Sequence, residues 1–266
     1  IGALILPENF GADVRKGKNP GARMLMNGTN LFLGNNCLLS ATTVFSTLNI
    51  GLRVQTLEAG GIVPIDAAHY GTTLLFTEKM MYNPEMSYMQ YLIVGIMAVV
   101  TQQIFFMFSG AFFMDNRSKQ RKLREIVPDI CLYMLLSLCG FVMAMIVLRA
   151  AVGFRMIGSI LWALLVQVCF LLAITGSSLT LSSLFKSKER FAQFSLLLAV
   201  PTFITATFVW PAYMMPKGMI VVIKLLWPLC NFAPVVKGVL QKGMGFTDIL
   251  PSLLQLLIFA LAWGTM

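Results

Sequence analysis

The densest cluster of chemically active side chains is basic. Arg117, Lys119, Arg121, Lys122 and Arg124 all fall in the segment DNRSKQRKLRE at 115–125. On a short helix Arg117, Arg121 and Arg124 would share one face, because they are four and three residues apart. Guanidinium groups on one face suit forked pairing with carboxylates of another protein. The cluster therefore predicts a docking surface or a charge signal that orients membrane spans, and one loop can do both.

A second group of polar side chains lies inside long apolar segments: Gln102, Gln103, Gln167, Ser177 and Ser178. Successive residues of a helix point about 100° apart, so Gln102 and Gln103 cannot face one neighbour. At least one is expected to face a subunit interface or a cavity. Packing between helices is the favoured explanation for the serines, since hydroxyls and small residues join helices in membranes. The alternative is a polar path through the membrane.

No pattern of a catalytic or metal site accompanies these residues. The sequence has no Gly-x-x-x-x-Gly-Lys-Ser/Thr, the loop that holds ATP phosphates. One histidine, His69, cannot build a histidine metal site, and the five cysteines form no Cys-x-x-Cys motif. An intramembrane enzyme would need paired acidic residues at membrane depth, whereas Asp129 and Glu189 lie near the ends of apolar segments. We expect no catalytic residue, no metal and no cofactor in this chain.

The composition is that of a membrane protein. Hydrophobic residues make up 58% of the chain and charged residues 12%, against about 25% charged residues in soluble domains. The net charge of +9 comes largely from basic residues in short loops between apolar segments, the placement that orients membrane spans. The chain is therefore expected to lie in a lipid bilayer, with no nucleic acid as partner.

Five membrane spans are expected, at about 88–113, 127–148, 156–184, 191–213 and 247–266, because each approaches or exceeds the roughly 20 residues that cross a bilayer. Basic residues are denser in the loops 115–125 and 185–190 than in 149–155 and 214–246, which places the first two loops in the cytoplasm. Residues 1–87 are then extracytoplasmic. Five spans that start outside predict an earlier span, and we expect the sequence to be truncated at both ends.

Residues 1–87 are expected to form part of an extracytoplasmic α/β domain. Short strands are predicted at 3–6, 23–26 and 73–77, with a short helix at 7–16. A long helix should begin after Asn30, a plausible cap, and end at Gly60. Its apolar residues at helical spacing are Leu38, Ala41, Phe45, Leu48 and Leu52.

The segment 214–246 is too broken to span a membrane and too apolar for an ordinary loop. It follows FVWPAYMMP at 208–216 and contains KLLWPLCNFAP at 224–234. We expect short helices at the outer rim of the membrane, with aromatic rings at headgroup level. The residues assigned to this rim are Trp210, Pro211, Tyr213, Pro216, Trp227 and Pro228.

Together these segments resemble the membrane subunit, or permease, of ABC-2 type exporters. ALILPENF at 3–10 and MLMNGTN at 24–30 look like the strands of that family's external domain, and MYNPEMSYMQYLIVGIMA at 81–98 looks like its entry into the second span. The subtype it resembles has one span, a large external α/β domain and then five spans. This sequence departs from the family in the first cytoplasmic loop, which lacks the usual Gly-Thr.

The resemblance implies an α-helical polytopic fold in a bacterial cytoplasmic membrane, export of a substrate, and ATP hydrolysis by a separate ATP-binding-cassette subunit. It also implies a homodimer, or a heterodimer with a related permease, and allows a periplasmic adaptor protein as a further partner. The basic loop would then couple the permease to the ATPase. The alternative function is a non-transporting anchor or receptor whose external domain binds a ligand, although a simple anchor has no need of broken rim helices.

Overall fold

The computed structural model describes residues 2–16, 20–59, 75–119, 121–206, 208–210 and 214–265. The chain divides into two units, Ile1–Tyr88 and Met89–Met266.

The first unit is built on a sheet with the strand order β1-β2-β3, formed by β1 (Gly2–Ile5), β2 (Gly21–Asn27) and β3 (Leu75–Met81). β1 pairs antiparallel with β2, opposing Gly2 to Met26. β2 and β3 pair in parallel, opposing Gly21 to Leu75. Parallel strands need a crossover connection, usually a helix, and the long α2 (Leu31–Ala59) lies between them in the chain. A short helix, α1 (Phe10–Arg15), connects β1 to β2.

Helix α2 begins as the sequence predicts. The Asn30 side chain accepts a hydrogen bond from the backbone N–H of Leu33 at 3.2 Å, the usual role of an asparagine at a helix start. On the predicted apolar face Phe45 is buried and its ring stacks on that of Phe76, 4.5 Å between centroids. Leu48 is exposed, so the buried face is narrower than its apolar pattern.

Helices long and apolar enough to cross a membrane occur in both units, by length and composition alone: Leu31–Leu52, Tyr88–Arg117, Arg124–Val152, Ile160–Ser183 and Phe246–Gly264. The last four overlap predicted spans. The first lies within α2, which was predicted from the sequence to belong to an external domain. The predicted span 191–213 differs as well: its helix has 18 residues, Lys188–Thr205, and begins with Lys188, Glu189 and Arg190, which reduces its apolar length.

The second unit consists of α3 (Tyr88–Ser118), α4 (Leu123–Val152), α5 (Ile160–Ser183), α6 (Lys188–Thr205), α7 (Lys217–Leu226), α8 (Leu229–Lys242) and α9 (Phe246–Gly264). α4 is capped by Gly153, whose φ of 64° is the left-handed conformation that glycine adopts easily. α7 and α8 are bent by 93° at a short break.

Helices α5 and α8 form the centre of this unit. Most residues of α8 are buried, and the Phe232 ring of α8 stacks on Phe170 of α5 with 3.9 Å between centroids. α5 also packs closely against α9. At Gly176 the two helices are so close that an added Cβ would lie 2.8 Å from the Ala260 carbonyl oxygen. The predicted rim therefore contains one of the most buried helices among the described residues. α7, by contrast, has no buried residue.

Contacts between helix ends give this unit two distinct ends. At one end Gln241 of α8 bonds to the Gln90 carbonyl of α3, and Phe246 of α9 lies against Trp162 of α5. At the opposite end Arg117 of α3 bonds to the Ser183 carbonyl of α5. The two basic connections, α3–α4 and α5–α6, therefore lie together at one end.

Candidate functional site

Gln102 joins the middle of α3 to the bend between α7 and α8. Its Oε1 accepts a hydrogen bond from the indole Nε1–H of Trp227 at 2.9 Å. The exposed fraction is 1% for Gln102 and 8% for Trp227. At 1.5 Å per residue, Gln102 lies about 21 Å along α3 from Tyr88. Trp227 is therefore fixed beside the midpoint of a candidate span.

Gln103 faces a different neighbour. Its Nε2 donates a hydrogen bond to the Ser195 hydroxyl of α6 at 2.8 Å. The angular argument from the sequence holds, since the two amides face different elements. Both bond to neighbouring segments of the same chain, as the packing explanation predicts, while the rest of Gln103 remains partly exposed.

Gln167 is the outlier among the predicted polar residues. It is fully buried in α5, and neither its Oε1 nor its Nε2 has a hydrogen-bond partner among the residues that the structure describes. A buried amide without a hydrogen-bond partner lowers the stability of the folded state, because its atoms lose their hydrogen bonds to water and gain no others.

The serines of α5 take part in packing. The Ser178 hydroxyl lies 2.8 Å from that of Ser109, which joins α5 to α3. Ser177 donates to the Ile174 carbonyl of its own helix at 3.0 Å. A groove of about 560 Å³ between α3 and α4 is lined by none of the predicted residues Gln102, Gln103, Gln167, Ser177 and Ser178. That these five residues line a substrate path stays a prediction.

The C-terminal part of α8 is attached to the first turn of α3. Lys237 donates a hydrogen bond to the Tyr91 carbonyl at 3.2 Å, and its ammonium lies 4.0 Å from the centre of the Tyr91 ring. Gln241 donates to the Gln90 carbonyl at 3.0 Å. The Tyr91 hydroxyl donates to the carbonyl of Phe208. With the contact of Trp227, which lies just before α8, α3 is bonded both to the α7–α8 bend and to the C-terminal part of α8.

Two arginines of the basic cluster are engaged inside the chain. Arg117 donates to the carbonyls of Ser183 and Phe185, each at 3.2 Å. Ser183 is the last residue of α5 and Phe185 follows just beyond its cap, a place where a cation also balances the negative end of the helix dipole. Arg121 pairs with Asp129 at 3.0 Å and donates to the Glu125 carbonyl. These two arginines therefore hold the connection in place.

The predicted face of three arginines is not formed. Arg117 lies in the last turn of α3, Arg121 in the connection, and Arg124 in the first turn of α4, because α3 extends to Ser118 and leaves no separate loop helix. Lys119, Lys122 and Arg124 are exposed. The basic cluster thus divides into two structural arginines and three side chains that face outward.

A comparison with protein families identifies the family of this chain. The family described as "ABC-2 family transporter protein" matches the chain over residues 1–266. The chain belongs to the ABC-2 transporter family. No curated protein and no solved structure matches it.

The family match confirms two predictions from the sequence. The chain is a permease subunit of an ABC transporter, the membrane component rather than the catalytic one. Its apolar helices fit the expected α-helical, multi-pass fold.

The rim residues of this ABC-2 permease lie in different environments. Trp210 is 38% exposed, and Pro216 and Pro228 precede the first residues of α7 and α8. Pro211 and Tyr213 lie outside the described residues. Trp227 is buried and bonds to Gln102 in the middle of α3, and its position at headgroup level stays a prediction. A tryptophan near prolines in an apolar segment fits both a headgroup position and a buried one. The glutamine at 102, within another apolar segment, was the sequence feature that could have indicated a buried partner for Trp227.

Several structural partners were missed by sequence reasoning. Phe191 of α6 packs over Gly110 of α3, where a Cβ would lie 2.1 Å from its ring. Asp129 was read as an edge residue and is the partner of Arg121. Lys188 pairs with Asp115 at 2.6 Å. The partners in these pairs are distant in sequence or lie on different elements, so spacing alone gave no signal for them.

Proposed function

We propose that this permease exports a substrate across the bacterial cytoplasmic membrane, driven by a separate ATP-binding-cassette subunit that binds and hydrolyses ATP. The absence of a phosphate-binding loop from the sequence supports a separate ATPase. The observation that carries the proposal is the meeting of two basic connections at one end of the second unit, joined by Arg117. The permease would act as a homodimer or with a related permease. A periplasmic adaptor would be a further partner.

In this proposal α3 transmits movement between the ATPase and α8. The ATPase would contact Lys119, Lys122 and Arg124, three exposed members of the cluster. Movement of the α3–α4 connection would reach α5 through Arg117, which bonds to carbonyls at the end of that helix. It would reach α8 through Gln102, which bonds to Trp227. These contacts connect the α3–α4 connection to α5 and to the bend before α8. The outward direction of transport is part of the proposal.

Replacing Lys119, Lys122 and Arg124 together by glutamine should weaken retention of the ATPase about tenfold, because three exposed charges are lost at a polar contact. The measurement is ATP hydrolysis and co-purification of the ATP-binding-cassette chain with the tagged permease. The matched control replaces Lys217, Lys224 and Lys242 by glutamine, an equal change of charge at exposed positions. Unchanged coupling in the first variant would reduce the loop to an orientation signal. Hydrolysis by the pure permease alone would contradict the assignment of ATP hydrolysis to a separate subunit.

The orientation has its own test. A cysteine in place of Lys119 should react with a membrane-impermeant reagent only after the cell is opened, whereas one in place of Lys242 should react in intact cells. Both positions are exposed in the structure, so poor access through burial does not confuse the result. The five native cysteines are replaced first. Labelling of position 119 in intact cells would reverse the proposed orientation.

A further inference from the structure

A cavity of about 430 Å³ lies where α3 ends and α6 begins. It is lined by Met114, Asp115, Arg117, Lys186 and Lys188. The first three residues belong to the end of α3, and the other two flank Ser187, the N-cap of α6. The cavity therefore lies at the end of the unit where the two basic connections meet.

The cavity has an excess of positive charge. Lys188 is paired with Asp115 at 2.6 Å, which neutralises one of its three cations. Arg117 donates two hydrogen bonds to carbonyls, but these neutral acceptors leave its charge in place. Lys186 is exposed and has no ion pair within the part of the chain that the structure describes. Two positive charges thus remain for an anion.

An exposed apolar residue directly precedes this part of the chain. Leu184, the residue that follows α5, is 73% exposed. The next residue, Phe185, packs its ring against Phe194 at 5.1 Å between centroids and leads directly to Lys186. An exposed leucine followed within two residues by a lysine suits the boundary between hydrocarbon and headgroups, where cationic side chains reach toward the polar layer.

We propose that this cavity binds the phosphate headgroup of an anionic phospholipid, with Lys186 and Arg117 facing the phosphate and the acyl chains beside Leu184. Basic pockets between transmembrane helices on the cytoplasmic side suit anionic headgroups. The density of basic residues puts this end at the inner leaflet. The site goes beyond the export proposal, and only the choice of leaflet rests on the proposed orientation.

A membrane lipid fits this cavity better than an acidic surface of the ATPase. The cavity lies at the ends of apolar helices, and its lining residue Lys186 follows an exposed leucine by two positions, which suits a ligand with an apolar tail. The cations proposed for the ATPase, Lys119, Lys122 and Arg124, do not line it. Phosphate is also the ligand that the planar fork of an arginine recognises well.

The test uses the purified permease in a neutral detergent, titrated with phosphatidylglycerol or with phosphatidylcholine of the same acyl chains. Phosphatidylglycerol should raise the unfolding temperature more, because a ligand that binds the native state stabilises it, and native mass spectrometry should show it retained. Lys186→Gln should reduce retention about fivefold, the effect of one basic residue near an anionic surface. Lys242→Gln, the same change at an exposed position away from the cavity, should leave retention unchanged.

Each other outcome overturns the proposal. Equal effects of the two lipids would show that headgroup charge is not recognised. A shift of the same size with inorganic phosphate alone would mean that the site takes a free anion. Equal losses in the two variants would indicate a diffuse charge effect. If Lys186→Gln leaves lipid retention intact and weakens retention of the ATP-binding-cassette chain, the cavity is a protein docking surface. The ATPase assay of the parent protein reports on the export proposal separately.

Discussion

Trp227→Phe should destabilise the second unit by about 1–3 kcal/mol. The indole N–H is the donor to the buried Gln102 Oε1, so the variant leaves that oxygen without a partner. The smaller ring also leaves space beside Phe106, whose ring meets Trp227 edge-on at 5.5 Å between centroids. The measurement is the thermal unfolding midpoint of the purified permease in detergent.

A double-mutant cycle separates the hydrogen bond from the loss of volume. Gln102→Met removes the acceptor, so Trp227→Phe added to it should cost less than it costs in the parent. The expected coupling is about 0.5–2 kcal/mol, the range for contacting residues and for hydrogen bonds between membrane helices. Strictly additive effects would show that the Trp227–Gln102 bond contributes nothing to stability.

The same variant should act locally on the attachment of α8 to α3. Hydrogen exchange should speed up in α7 and α8, residues 217–242, before it changes in α9, because the bend between them loses its contact with the midpoint of α3 while α8 keeps those through Lys237 and Gln241. Uniformly faster exchange across the unit would instead indicate a general loss of packing.

The membrane character of this chain was predictable because it rests on composition and segment length, which every residue of a span contributes to. The four overlapping spans follow from long apolar runs. α6 is a weaker case, because Lys188, Glu189 and Arg190 lie within the helix, whereas its predicted span began after them. In α2, length and composition alone are not decisive. Its residues Leu31–Leu52 are apolar enough for a span, yet the strands on either side of it in the chain, β2 and β3, pair in a sheet.

The environment of α8 was not predictable from its own sequence. Proline and lysine residues in the segment indicate a surface helix, and its hydrophobic residues fit a rim as well as a core. What buries α8 is its set of partners in other helices, such as Phe170 and Gln90. These contacts join residues more than 60 positions apart along the chain, and no periodicity within α8 reports them.

The basic cluster shows how spacing can mislead. Arg117, Arg121 and Arg124 share a face only if one helix contains them all. The structure places helix boundaries at Ser118 and Leu123, so the three guanidinium groups belong to different elements. Arg117 bonds to a carbonyl at the end of α5, and Arg121 pairs with a carboxylate of α4. The first contact could be predicted only if α3 and α5 were already known to end side by side.

Gln167→Met should raise the stability of the permease, by about 1–2 kcal/mol. Neither polar atom of Gln167 has a hydrogen-bond partner among the described residues, and the side chain is fully buried. Methionine keeps an unbranched side chain of similar length and removes both unpaired groups. The midpoint of thermal unfolding in detergent measures the gain.

The matched control is Gln102→Met, the same substitution at a buried glutamine whose Oε1 does accept a hydrogen bond. It should lower the midpoint, because the Trp227 N–H loses its acceptor inside the protein. Opposite signs for one substitution at two buried sites would show that the partner, rather than the burial of an amide, determines stability. A decrease for Gln167→Met comparable to that of the control would mean that the Gln167 amide is satisfied in the working protein, and the prediction would be wrong.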